Sequence, residues 1–432
     1  MDLYCKGIRI KTISLEAANN LQPGDIPDFI DYIWFNSKFN GKIPPEIIPI
    51  SVTKMRLGLL FSRQLCPGDI PNSVTHLVFG NSFNHNLNIG VIPNSVTHLE
   101  FGWSFNRPLK PGDIPNSVTH LTFGEMFNKR LKPRDIPNSV THLTFGPRFN
   151  KSLKPEVIPN SVIHLTFGSL FDSPLKPGDI PNSVTYLVLT GFTRKLVPDS
   201  IPNSVTCLFL GDYFNQPLGP GHIPNSVTHL TFGYSFNQWL KRGDIPNSVT
   251  HLTFGHDFNR PLRSGDIPNS VTHLKFGSGY KRQLNLGDVP NSVTHLTFGY
   301  FNKPLELGII PDSVKFLCLY TSFLEKLLVI PKCVTHLKIV SNNYAYTGNT
   351  GHIDLPESIN YLQISRIHTD IILQYSDNIF INSLGYNSNK WTIPTCKYFK
   401  DQDFYKNHFI SKMNSSILES VPIELLCYLL EY

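Results

Sequence analysis

Residues 114–135 read IPNSVTHLTFGEMFNKRLKPRD, from Ile114 to Asp135, and this 22-residue unit recurs along most of the chain. An Ile-Pro pair marks each copy. It starts at Ile26, Ile48, Ile70, Ile92, Ile114, Ile136, Ile158 and Ile180, always 22 residues apart. It continues at Ile201, Ile223, Ile245, Ile267 and Val289, then less regularly at Ile310, Ile330 and Leu355. A fixed period of this length signifies a solenoid, in which each unit buries its apolar face only by stacking on the next.

The positions of Pro and Gly select the kind of solenoid. Within 114–135 the longest run free of both spans Asn116 to Phe123, too short for the helix pairs of ankyrin or tetratricopeptide arrays. The run VTHLTF alternates and is β-rich, so it predicts one short strand per coil, with Leu121 and Phe123 inward and His120 and Thr122 outward. Gly124 ends the strand, and Pro-Gly pairs such as Pro111-Gly112 and Pro177-Gly178 suit type II turns. The expected fold is therefore a mostly β solenoid with a parallel sheet along one face and little helix. Sixteen coils at the strand spacing give a rod or arc roughly 70–75 Å long.

Composition agrees. The 432 residues include 34 Pro, 29 Gly and 30 Phe, and only 16% are charged. So much Pro and Gly argues against a helical bundle, and 12% aromatic residues argue against disorder. A net charge of +6 is small for this length and calls for neither nucleic acid nor an anionic membrane. The cysteines (Cys5, Cys66, Cys207, Cys318, Cys333, Cys396, Cys427) are odd in number and include no C-x-x-C pair, which points to a reducing compartment. The first twenty residues have no unbroken apolar core of a signal peptide, and no run of eighteen apolar residues exists. A cytoplasmic monomer without cofactor or metal is the expectation.

The unit resembles the FNIP repeat of social amoebae and giant DNA viruses, through Phe105-Asn106 with Ile114-Pro115 and Phe258-Asn259 with Ile267-Pro268. For a viral chain the compartment would be the host cytoplasm. FNIP repeats are similar in turn to leucine-rich repeats, and Val118, Leu121 and Phe123 fit that core pattern, whereas Asn128 falls two positions later than the leucine-rich-repeat asparagine. The resemblance implies a leucine-rich-repeat-like architecture. The columns also make physical sense by themselves. Phe101, Phe123 and Phe145 stack in one file, Phe105, Phe127 and Phe149 in another, and Asn106, Asn128 and Asn150 satisfy buried backbone groups at a bend.

Three features invite a functional reading. Ten histidines share one register, among them His120, His142, His229 and His251, beside Thr122 and Thr144 on the outward sheet face. Imidazoles on successive rungs point the same way and do not converge on a metal ion, so the choices are a protein-binding face or polar filler. A basic stripe runs through Arg107, Lys129, Lys151 and Arg260 and through Lys110, Lys132, Lys154, Lys176, Lys241 and Arg263, with Asp113, Asp135, Asp179, Asp244 and Asp266 three residues further on; the expectation is a solvated edge of interleaved charge. In two adjacent coils Tyr186, Val188, Cys207 and Phe209 replace the His and Thr residues, an apolar patch on a polar face that is either a partner hot spot or drift in degenerate copies. No serine-hydrolase elbow, phosphate loop, H-E-x-x-H or dinucleotide fingerprint is present, so no enzyme is expected.

The expected organisation is an N-terminal cap over 1–25, a solenoid over 26–365, an irregular region over 366–412 and an amphipathic helix over 413–432. Val421, Pro422, Glu424, Leu425 and Leu426 in that last stretch resemble the opening of an F-box, of which only the first third is present. The leading expectation is a non-catalytic scaffold presenting its sheet face to a protein. The alternative, implied by the F-box resemblance, is a substrate adaptor of an SCF-type ubiquitin ligase that binds a Skp1-type subunit.

Overall fold

The computed structural model describes residues 22–43, 46–300, 303, 307–320, 330–340 and 355–363 with their side chains, and further short strands by their backbone. The chain divides into two units, Met1–Gly385 and Tyr386–Tyr432. The second, with the expected C-terminal helix, lies outside the described residues.

Each coil contributes one strand at the expected place. His120–Thr122 pairs in parallel with His142–Thr144, His120 opposite His142 and Leu121 opposite Leu143. The same zero-offset register continues from coil to coil, apart from one bulge between Phe298 and Tyr300, because alternation fixes Leu and Phe inward and a one-residue slip would expose them all. Leu121, Phe123, Val118, Phe127 and Ile114 are buried, and their equivalents join one continuous core along the solenoid. Among the described residues the only helical turn is Pro45–Ile47, a single 3-10 turn.

The corners of the coil have separate chemistry. Gly112 lies at φ 91°, the left-handed region that glycine enters without steric penalty, directly after Pro111. That turn is closed by the Asp113 N–H donating to Lys110 O at 3.1 Å, while the Asp113 carboxylate accepts from the Lys110 N–H at 2.8 Å. Further along, the Asn106 N–H donates to Asn84 Oδ1 at 3.0 Å and the Asn128 N–H to Asn106 Oδ1 at 3.0 Å, the asparagine ladder expected at the bend. A serine ladder that the sequence did not suggest runs beside the strands: Ser117 Oγ donates to Val96 O at 2.7 Å, and Ser139 Oγ to Val118 O at 2.7 Å.

Spacing between coils depends on which side of the sheet is measured. His98, His120 and His142 stack with ring centroids 4.1 Å apart. On the core side Phe101, Phe123 and Phe145 are 5.6 and 5.5 Å apart, and Phe105, Phe127 and Phe149 are 6.1 Å apart. The strand spacing of about 4.8 Å lies between the His and Phe values, so the coils fan outward and the His/Thr face is concave. The curvature is carried through. In hydrogen-bonding order Phe380–Leu384 neighbours Thr12–Leu15, and the sheet of the first unit closes on itself. This corrects the open rod or arc expected from coil count alone. The sheet also extends past residue 365, since Phe380–Leu384 pairs in parallel with Tyr361–Ser365. The Ile-Pro anchor is lost there, but strand-forming residues remain.

Candidate functional site: the concave face

The concave face is built from a Thr-His-Leu-Thr segment in each coil. Thr119 Oγ1 donates to Thr97 O at 3.2 Å and sits 2.9 Å from His120 Nδ1; Thr141 and His142 repeat this, as do Thr250 and His251. A hydroxyl has a single proton. Thr97 O already accepts from the Thr119 and His120 backbone N–H groups at 2.8 and 3.0 Å, so the hydroxyl and Nδ1 share one hydrogen bond whose donor follows the imidazole tautomer.

These imidazoles resist protonation. Burial of the ring, followed by the charge that neighbouring histidines would carry, lowers His120, His251 and His273 to about 4. Burial likewise lowers His76, His98, His229 and His295, with Lys54 adding to the effect on His76 and His98. The column is therefore neutral near pH 7. His98, His120 and His142 lie within 11° of parallel, so their lone pairs run side by side rather than toward one point. Such a face offers imidazole nitrogens and hydroxyls to a partner, and little net charge.

All ten residues singled out in the sequence share this face. Tyr186 pairs with Cys207 and Val188 with Phe209 in register, flanked by His164 and Thr166 on one side and His229 and Thr231 on the other. Leu187, Leu189, Leu208 and Leu210 point the opposite way and are buried, so the four apolar substitutions lie on the concave surface. Ile163, 38% exposed, adds to the patch. It occupies the threonine position that holds Thr119 and Thr141 in other coils, and the change from SVTH to SVIH was its signal in the sequence. The patch thus spans three adjacent coils.

The FNIP repeat matches at 19–59, 61–104, 105–131, 127–170, 171–213, 214–257, 258–300 and 301–342, most of the chain. The chain belongs to the FNIP repeat family. Among solved structures it is similar to CroV588, a circular leucine-rich-repeat protein of a giant virus, with 33% identity and a TM-score of 0.70 over 87% of this chain. The FNIP chain covers 58% of CroV588. YopM from Yersinia enterocolitica also aligns, at 14% identity and a TM-score of 0.43 over 83% of each chain. No curated protein matches by sequence. The leucine-rich-repeat-like solenoid is therefore the fold of this FNIP chain, and the circular form of CroV588 accords with the closed sheet.

Two further expectations need comment. The acidic column is not interleaved with the basic stripe at the surface. Asp113, Asp135, Asp179, Asp244 and Asp266 are buried, each accepting the backbone N–H three residues earlier. A turn with a left-handed residue leaves that N–H without a backbone partner, and the carboxylate supplies one. Burial raises these carboxyls above their usual range, partly offset by the accepted hydrogen bonds. The other expectation concerns the ubiquitin-ligase adaptor. Val421, Pro422, Glu424, Leu425 and Leu426 lie outside the described residues, and the family match ends at residue 342, so that alternative is not supported. Among the described residues no helix is long and apolar enough to cross a membrane.

Proposed function

We propose that this FNIP chain is a non-catalytic protein-interaction scaffold whose concave face receives a protein partner, with Ile163, Tyr186, Val188, Cys207 and Phe209 as its anchor. The observation that carries this reading is the apolar patch, five substitutions contiguous on a face that is otherwise His and Thr. Interface energy concentrates in a few apolar or aromatic residues surrounded by polar ones that exclude water. The neutral His/Thr surround suits that role, since it discourages charged competitors and is easily desolvated. The reading places the protein in the cytoplasm, as a monomer.

Tyr186→Thr with Phe209→Thr restores the threonine-like polarity of neighbouring coils and leaves every core residue in place. Partners captured with wild-type protein should fall at least about tenfold with the double variant, measured by quantitative affinity capture against an Ile89→Thr control on an exposed outer turn. Equal capture by both variants would remove the patch from the proposal.

A further inference from the structure

The charge of the chain is not spread along it. Residues 105–155 hold nine basic residues against three acidic ones, a net of +6 and equal to the net charge of all 432 residues. Within this segment Asp113 and Asp135 are buried in their turns. Glu125 lies in the turn after the strand, where its carboxylate is 3.9 Å from Arg148 Nε. From Phe105 to Pro155 the surface following each Phe-Asn pair thus presents no exposed carboxylate, and the exposed Glu156 comes next. The same surface presents two rows of cations, Arg107, Lys129 and Lys151 in one and Lys110, Lys132 and Lys154 in the other. In the preceding coil the equivalent positions are His85 and Asn88; in the following one the first row ends at Ser173 and the second continues at Lys176.

Local backbone and hydrogen bonding support a recognition surface. Arg107 Nε donates to Asn84 O at 2.8 Å, which anchors the guanidinium to the preceding coil while its other N–H groups remain available. Arg134, also exposed, adopts φ 72° at the turn position filled by glycine in Gly112 and Gly178. A non-glycine residue in that region costs about 1 kcal/mol; Glu156 and Asp199 hold the same turn position at φ 69° and 63°, and among these three only Arg134 is a cation.

We infer that this basic surface binds an extended acidic segment of a partner protein, laid across the coils. The buried rings of Phe105, Phe127 and Phe149, two residues before each member of the first row, are 6.1 Å apart between centroids. Alternate side chains on one face of an extended peptide are about 6.6–6.8 Å apart. A segment with Asp or Glu at every second residue therefore places one carboxylate per rung. A single-stranded nucleic acid would need aromatic platforms for its bases. Within 105–155 there is no Trp or Tyr, and every Phe ring is buried.

Fluorescence anisotropy with three labelled probes tests this: a peptide of alternating Glu and Ser, a block peptide of the same composition, and an oligothymidylate. The alternating peptide should bind most tightly and weaken as salt rises. Lys110→Glu with Lys132→Glu should lower its affinity at least about tenfold, while Lys241→Glu, outside the segment, should leave it within about twofold. Arg134→Gly relieves the left-handed turn, so it should weaken binding with no loss of melting temperature. Equal binding of the block peptide, tighter binding of the oligonucleotide, or an equal loss with Lys241→Glu would each overturn the proposal.

Discussion

Gly124→Ala is expected to abolish the cooperative fold of the surrounding coils, although the change adds one methyl group at the end of a strand. A Cβ on Gly124 would overlap the carbonyl oxygen of Gly102, and would stand 2.6 Å from the Gly102 carbonyl carbon and 2.8 Å from Phe101 O. All three atoms are backbone, so no side chain can rotate away. Gly146 meets Gly124 in the same manner, and Gly102 meets Gly80. Relief requires the coils to separate, which would break the Leu99–Leu121 pairing and the Phe101–Phe123 stack at once. Overpacking usually costs 1–3 kcal/mol when side chains can adjust; with rigid backbone on the other side the loss should exceed about 3 kcal/mol. Gly178→Ala is the matched control. Its φ of 87° disfavours alanine, but a Cβ there meets nothing closer than a Pro155 ring carbon at 3.8 Å, and about 1 kcal/mol is expected. Chemical denaturation of the two variants separates the cases. Similar midpoints would show that the glycine column does not set the coil spacing.

That column marks the limit of what the repeat makes legible. Within one coil Gly124 reads as a strand end, and its true constraint appears only when coils are stacked. Period and alternation were enough to place the strands, the buried Leu and Phe files and the polar face, because each follows from a single unit repeated without offset. Curvature depends on differences between the two sides of the sheet. His rings stack at 4.1 Å on one side and Phe rings settle at 6.1 Å on the other, and no single-coil pattern contains that difference. The Asp column was misplaced for a related reason. Beside lysines and glycine it has the composition of a solvated edge, yet Asp113 accepts a backbone hydrogen bond in a closed turn. For the candidate site, departures from the repeat were informative where they were large. Tyr186 and Phe209 stood out, whereas Ile163, a change of one β-branched residue for another, did not. Where a substitution preserves shape but removes a hydroxyl, the repeat conceals it.

Stability should fall steeply as pH drops from 6.5 toward 4, through the concave-face histidines. An imidazole in the unfolded chain has a pKa near 6.5, and His120, His251 and His273 are lowered to about 4 in the fold. The folded state therefore binds fewer protons between these values. Its advantage is whole above 6.5, declines as the unfolded chain takes up protons, and is exhausted near 4. The cause is structural: burial comes first, and each ring then stacks 4.0–4.2 Å from the next, so a proton on one repels a proton on its neighbour. Lys54 acts in the same sense on His76 and His98. Discounted for the solvent-exposed part of each ring, the loss by pH 5 is about 1 kcal/mol for each of these three residues. The other lowered histidines act in the same direction, and together they reach a size that matters against a typical stability of about 5–15 kcal/mol. The raised turn carboxyls have the opposite sign, since a fold that holds protons on Asp113 and Asp135 gains as pH falls. Their effect enters as pH falls toward the raised carboxyl pKa and opposes the lower part of the histidine window. Denaturation midpoints at pH 7.5, 5.5 and 4.5 should thus decline monotonically. Replacing His98, His120 and His142 together by Thr, a residue already present on this face, should flatten the profile. Midpoints independent of pH, or imidazole resonances titrating near 6.5, would show that the column is solvated and uncoupled.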